Sequence, residues 1–271
     1  MIDNIQVLYI LLIGLCTGSF LNVVIYRIPE GISIVNPRSF CPSCKNKIIF
    51  RENIPLISWL IKKGKCSYCG EKINIRYPII ESLTAVLFFI FSNSSPYFYN
   101  FNQNMIFESI FSWLFLSILL AISFIDLEHF WIPQGLINFG YLCGLINLIL
   151  IGIINKNFFI IYLLRGLAGA FLIYVFFELF RFLAKRFYKR DALGKGDSKL
   201  VSMMALWLGL QGIFLAIGIA YVVAAIFILI LLQFKKINKG QIIPFAPFLS
   251  IGGLTVWYFG NEFLLRVIYN L

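Results

Sequence analysis

Residues 200–234 read LVSMMALWLGLQGIFLAIGIAYVVAAIFILILLQF, 35 positions without one Asp, Glu, Lys or Arg. About 20 apolar residues carry a helix across a bilayer. This run is too long for one crossing, and Gly209-Leu-Gln211-Gly212 interrupts it, so it reads as two helices, the first short. Outward from it, apolar segments recur at 7–26, 78–94, 106–125, 136–154, 158–179 and 242–259. Segment 7–26 is not a cleavable signal: Asp3 precedes it, no basic stretch does, and it is longer than a signal's apolar core. The expected fold class is an all-α polytopic membrane protein with about eight transmembrane helices. Composition agrees. The chain is 60% apolar and 13% charged, with mean hydropathy +0.88, against about 45–50% and about 25% in soluble domains. Its 29 Phe and 13 Tyr would not fit one soluble core of 271 residues. A disordered protein, a nucleic-acid module and a soluble globule are excluded; the partner of these faces is membrane lipid.

The net charge of +11 is explained by where the cations fall. Residues 27–77 hold ten Lys/Arg, 181–199 hold seven and 235–239 hold three, together 20 of the 23. Eight spans put all three segments on one side, which the positive-inside rule makes cytoplasmic, with both termini outside. Seven spans would strand 235–239 on the other face. Gly14-xxx-Gly18 and Gly140-xxx-Gly144 are small-residue pairs that let helices pack closely. Arg165 falls inside a span, with Glu108 as a structural partner.

The first cytoplasmic loop contains Cys41-Pro-Ser-Cys44 and Cys66-Ser-Tyr-Cys69, 21 residues apart. Each Cys-x-x-Cys presents two thiolates, and two such knuckles complete a tetrahedron around Zn²⁺. A zinc-ribbon-like loop is expected, closed by four sulfurs and therefore structural. Gly64 and Gly70 fit its turns, and Trp59 packs on the lobe or lies at the membrane interface. Cytoplasmic placement argues against disulfides. Cys16 and Cys143, inside spans, read as core residues.

Carboxylates beside lipid are functional suspects. Asp126 directly follows the apolar run 106–125, and Asp197 stands in Gly194-Lys195-Gly196-Asp197 just before the run at 200. Both fall at the cytoplasmic end of a span. Two such aspartates can share one proton, one serving as general base on water while the other polarises a scissile carbonyl. Gly194 and Gly196 permit unusual backbone angles and close approach by an extended substrate. The competing reading makes Asp126 a helix-end cap and Asp197 the N-cap of the next helix. Glu128 and His129 are the neighbouring candidates. His129 is the only histidine, which excludes a His-Glu-x-x-His metalloprotease, and no Gly-x-Ser-Gly is present.

Taken together, these residues resemble the type IV prepilin peptidase family of leader peptidase/N-methyltransferases over nearly the whole chain. Gly18-Ser-Phe-Leu-Asn22 through Arg27-Ile-Pro29 is similar to the family's opening motif, followed by the paired knuckles and Arg76-Tyr-Pro78-Ile-Ile-Glu81. Ile125-Asp126-Leu with Ile132-Pro133 resembles the first catalytic motif. Gly194-Lys-Gly-Asp197-Ser-Lys199 resembles the second, the Gly-x-Gly-Asp signature shared with presenilin-like proteases, and Pro244-Phe-Ala246-Pro247 the closing motif. Two positions depart: Gln134 stands where the family usually has Asp, and Ala246 where it usually has Gly.

The resemblance implies catalytic Asp126 and Asp197, supported by Gly194, Gly196 and Lys199, and a structural Zn²⁺ on Cys41, Cys44, Cys66 and Cys69. It implies a first helix over 1–26, a cytoplasmic loop over 27–77 and a transmembrane peptidase core over 78–271. The implied activity removes the leader of type IV prepilins, or of type II secretion pseudopilins, after a Gly on the cytoplasmic side of the bacterial inner membrane. The new N-terminal residue is then methylated with S-adenosylmethionine. No glycine-rich nucleotide fingerprint marks the cofactor site; Glu81 is its one candidate residue, with a salt bridge to a loop cation as the alternative. A peptidase lacking methyl transfer is the nearest competing function. A proton-coupled transporter would place carboxylates at mid-bilayer and show an inverted repeat, and a zinc-dependent adaptor would leave Gly-x-Gly-Asp unexplained.

Overall fold

The computed structural model describes residues 4–92, 105–154, 159–188, 194–236, 241 and 243–269. Expectations placed on residues 93–94, 156, 158 and 242 fall outside them. The chain is an all-α polytopic membrane protein. Its helices are α1 (Asn4–Arg27), α2 (Ile57–Ile61), α3 (Arg76–Ser92), α4 (Met105–His129), α5 (Gln134–Ile154), α6 (Phe159–Tyr188), α7 (Lys195–Gln233), α8 (Ala246–Phe259) and α9 (Asn261–Tyr269). Five of these, α1, α4, α5, α6 and α7, are long and apolar enough to cross a membrane.

Helix α7 breaks at Gly209, whose φ of 70° and ψ of 175° lie in the region that favours glycine. The interruption expected from the sequence is therefore real. The last apolar helix begins at Ala246 rather than 242, because Pro247 near its start ends the extended approach and sets a helical φ. Helix α9 has an apolar and a polar face and extends the chain beyond the last expected span.

Two compact units form, residues 1–94 and 95–271. In the first, α1 packs on α3 through the small pair. A Cβ at Gly14 would lie 2.5 Å from Ala85 Cα, and one at Gly18 2.6 Å from Glu81 Cα. Backbone cannot yield as a side-chain tip can, so Gly18→Val is expected to cost about 1–3 kcal/mol, read as a lower unfolding temperature in detergent. Cys16 is exposed on this pair rather than in a core, because only the glycine face of α1 meets α3.

The second unit centres on α7 and α8. Trp207 stacks on Phe115 with centroids 4.8 Å apart, and Trp257 lies 5.3 Å from Phe115. Trp257 Nε1 donates to Ser112 Oγ at 2.9 Å, and Trp207 Nε1 to Gly140 O at 3.0 Å. Gly140 and Gly144 make room for Met203 and Trp207, which is the packing role expected of them. Cys143 is buried. Glu108 and Arg165 do not pair: Arg165 is exposed, and Glu108 Oε1 is buried without a hydrogen-bond partner.

Candidate functional site

Asp126 lies one turn before the end of α4, not beyond it, because the helix continues through His129. Phe130, with φ of 54°, then stops it, its amide donating to Asp126 O at 2.9 Å. The Asp126 side chain is buried, 6% exposed. Its Oδ2 accepts the backbone N–H of Ala246 at 3.1 Å, and the Phe245 amide also reaches it. These are the first amides of α8, so the carboxylate sits at a helix N-terminus, where free N–H groups and the helix dipole favour an anion. The closing motif thus serves the first aspartate. Pro247 signals a helix start in the sequence, but which carboxylate that start meets is settled only by the fold.

Asp197 lies in the first turn of α7, not before it and not at its N-cap, which is Gly194. Its Oδ2 accepts the Gly194 N–H at 3.2 Å, and its own N–H donates to Gly194 O at 3.2 Å. Asp197 lies close enough to Asp126 for the charge of Asp126 to bear on it, so the end of α4 and the start of α7 carry neighbouring carboxylates. Gly194 does not need unusual angles: its backbone is ordinary and extended. What matters at both glycines is the missing Cβ, which at Gly194 would sit 2.9 Å from Asp197 Oδ2 and at Gly196 2.9 Å from Ile132 Cβ. Ile132 comes from the motif that follows Asp126, so Gly196 fits the two aspartate motifs together. Gly196→Ala is expected to displace α7's first turn and lower turnover by about 10²-fold, measurable as the initial rate of leader release.

Lys199 Nζ donates to Gln134 Oε1, and Gln134 Nε2 donates to Asn138 Oδ1 at 2.8 Å. Gln134 thus gives the lysine a neutral partner. Ser198 Oγ donates to Glu178 Oε1 at 2.8 Å, fastening α7 to α6. Glu128 and His129 are exposed and face each other at 4.0 Å.

In the first unit, the four cysteine sulfurs all lie within 4.8 Å of one another, Cys41 Sγ and Cys69 Sγ being 3.9 Å apart. A tetrahedron with Zn–S bonds of about 2.3 Å has edges of about 3.8 Å, so the donor set fits a metal. The knuckles repeat one design. Lys45 N donates to Cys41 O at 2.8 Å in the first and Gly70 N to Cys66 O at 3.0 Å in the second, with Lys45 (φ 60°) and Gly70 (φ 71°) as matching left-handed residues. Hydrogen bonds from the Cys69 and Tyr68 amides bring the Cys66 thiol down to about 7. At Cys69 the Glu71 amide favours the thiolate, yet desolvation and the sulfurs of Cys66, Cys44 and Cys41 outweigh it and push the thiol up to about 12. Four clustered thiols resist full ionisation, a condition that a divalent cation relieves. Trp59 packs against Gly64 and donates from Nε1 to Ile73 O at 3.3 Å, which puts it on the cysteine lobe.

Glu81 accepts the Leu56 N–H at 2.7 Å rather than pairing with a loop cation. It lines a cavity of about 420 Å³ whose other walls include Asn22, Arg27, Trp59, Tyr77 and the cysteines Cys41 and Cys66.

Residues 12–94 match the model of the bacterial peptidase A24 N-terminal domain, and 113–229 that of the type IV leader peptidase family. A protein of Stutzerimonas stutzeri named prepilin leader peptidase/N-methyltransferase is 32% identical, across 94% of this chain and 91% of that one. The chain belongs to the prepilin leader peptidase/N-methyltransferase family. Two further family members bear the same name. The Legionella pneumophila protein is 31% identical over 93% of this chain and 91% of its own. The Myxococcus xanthus protein is 34% identical over 82% of this chain, which spans 63% of its length. No solved structure is significantly similar to the chain.

Proposed function

We propose that the chain is a bacterial inner-membrane endopeptidase that removes the leader of type IV prepilins or pseudopilins after Gly and N-methylates the residue so exposed. The observation that supports the peptidase reading is that Asp126, near the end of α4, lies close enough to Asp197, in the first turn of α7, for its charge to bear on it. Asp126 is held by the α8 amides and Asp197 by Gly194. One carboxylate takes a proton from water, which attacks the scissile Gly carbonyl; the other, protonated, donates to the carbonyl oxygen. The tetrahedral intermediate collapses as a proton passes to the leaving amine. The Lys199–Gln134 bond ties the start of α7, where Asp197 lies, to the start of α5.

The charge asymmetry supports a cytoplasmic position for the aspartates and the four-cysteine lobe, where the leader of a prepilin also lies. About eight crossings accord with the apolar helices once α7 is divided at Gly209, the core for cleavage being built from helices that follow the four-cysteine loop. Cys41, Cys44, Cys66 and Cys69 would hold Zn²⁺, which fixes the loop and takes no part in cleavage. S-adenosylmethionine supplies the methyl group. The name shared by the full-length relatives favours methyl transfer over the peptidase-only alternative.

The test incubates the purified chain with a prepilin peptide, with and without S-adenosylmethionine, and reads the products by mass spectrometry. Leader loss followed by a gain of one methyl group's mass is the expected result. Leader loss alone removes the methyltransferase half, and an intact peptide removes the whole reading.

A further inference from the structure

Residues 45–65 hold six Lys or Arg against one Glu, yet the same stretch exposes six large apolar side chains, Ile49, Phe50, Ile54, Ile57, Leu60 and Ile61. Phe50 is 87% exposed and Ile61 75%. Apolar side chains exposed singly are ordinary, whereas a contiguous set marks a contact surface. Here the set is contiguous. Ser58 N donates to Ile54 O at 3.1 Å, so helical spacing begins at Ile54 and puts Ile54, Ile57 and Ile61 on one side of α2, with Leu60 beside them. Trp59 falls opposite, bonded to Ile73 of the cysteine lobe. Ser58 Oγ accepts the Ile54 N–H at 3.0 Å and donates to Arg51 O at 3.3 Å, while Lys62 Nζ and Glu52 Oε1 are 2.5 Å apart. The turn Phe50–Glu52 and α2 therefore form one closed piece whose apolar side is uncovered.

The height of that piece along the membrane helices is fixed within the first unit. Leu56, the residue before α2, donates its N–H to Glu81 Oε2 at 2.7 Å. It does so with φ of 59° and ψ of −51°, a costly conformation that persists only where surrounding contacts impose it. Glu81 lies about 8 Å along α3 from Arg76, at about 1.5 Å per residue, and its backbone meets Gly18 of α1. Gly18 lies about 14 Å back from Arg27, the last residue of a helix long and apolar enough to cross the membrane. Helix α2 thus starts alongside α1 and α3, not beyond their ends, at a level where Phe20 and Ile79 are also exposed. An amphipathic segment at that level buries its apolar face about 5–10 Å into the boundary between headgroups and acyl chains. Lys47, Arg51 and Lys63, all exposed, flank the apolar side and match an anionic leaflet.

We propose that residues 49–61 form an interfacial anchor that docks the four-cysteine lobe on anionic phospholipid. The apolar side chains enter the acyl boundary and the flanking cations meet phosphate headgroups. The anchor is independent of the reaction assigned to the chain.

The test places the full chain in nanodiscs of phosphatidylcholine alone or with phosphatidylglycerol, each doped with a lipid of the same headgroup carrying a photoactivatable diazirine high on its acyl chain. Peptide mapping after illumination is expected to find label on residues 49–61 as well as on α1, which serves as internal standard. Relative to α1, labelling of 49–61 is expected to be about fivefold greater with phosphatidylglycerol, the effect of a few cations near an anionic surface. That preference should fade at about 1 M salt, where the screening length falls to about 3 Å. Leu60→Asp with Ile61→Asp is expected to lower the labelling by about tenfold or more, since binding scales with buried apolar area. Arg51→Gln with Lys63→Gln, which leaves the apolar side intact, should remove the phosphatidylglycerol preference alone. Unfolding temperature in detergent and limited proteolysis identify any variant whose lobe fails to fold. Label on α1 with none on 49–61 would overturn the anchor, and equal labelling from the two lipids would overturn its anionic partner. Cross-links from Lys63 to residues 105–269 or to a second chain, without lipid label at 49–61, would assign this face to protein instead.

Discussion

Asp126→Asn and Asp197→Asn should each reduce leader cleavage by about 10²–10⁴-fold, the range set by loss of one general acid or base, while leaving the chain folded. The amide is nearly isosteric with the carboxylate. Its oxygen still accepts the Ala246 N–H at position 126 and the Gly194 N–H at position 197. What disappears is the ability to take and return a proton. Because the proposed mechanism needs one carboxylate ionised and the other protonated, the pH–rate profile should be bell-shaped with both limbs belonging to the dyad. Residues that act as a unit lose function together, so the double variant should be about as slow as either single one. The assay is initial rate by mass spectrometry across pH, with unfolding temperature as the control. A folded single variant that still cleaves at the wild-type rate would reduce that aspartate to a helix-end residue.

Much of this was legible because the decisive signals are local. The interruption at Gly209 lies near the start of an otherwise uniform run of apolar positions, and glycine there does what its missing side chain permits. Each Cys-x-x-Cys closes its own turn through bonds spanning four residues, so spacing alone exposes the knuckle. Small residues four apart mark a contact face on one helix before the partner helix is known. The illegible parts depend on contacts between distant positions. The Asp126–Ala246 bond joins residues 120 apart, and the Glu81–Leu56 bond depends on a left-handed residue that nothing in Pro55-Leu56-Ile57 announces. Opposite charge suggests a Glu108–Arg165 pair, yet helix rotation turns Arg165 outward. Gly194 and Gly196 stand out in the sequence for their backbone freedom, whereas their steric fit against Asp197 and Ile132 is a tertiary fact.

The second large effect concerns the metal. The four-cysteine lobe has little else to hold it: neither α2 nor the 3₁₀ turn Phe50–Glu52 buries a residue fully, and the knuckles add only the isolated bridges Phe40–Lys47 and Lys65–Lys72. Where a segment lacks its own core, metal-binding energy becomes folding energy, about 10–16 kcal/mol for structural Zn²⁺ in small peptides. About one zinc per chain is therefore expected by elemental analysis, the single closed set of four ligands leaving no second site among the described residues. Chelation or Cys66→Ser should open residues 39–73 to limited proteolysis. A function carried by the lobe itself should fall by about 10²-fold, the upper end for disturbing a metal's supporting structure, and methyl transfer is the one to measure. Cleavage should fall less, since the aspartates belong to a unit with its own tryptophan-centred core. Protons and Zn²⁺ compete for the same sulfurs, so loading should decline as pH drops. A metal-free chain with a protease-resistant lobe and full methylation would show that the four thiols merely sit together.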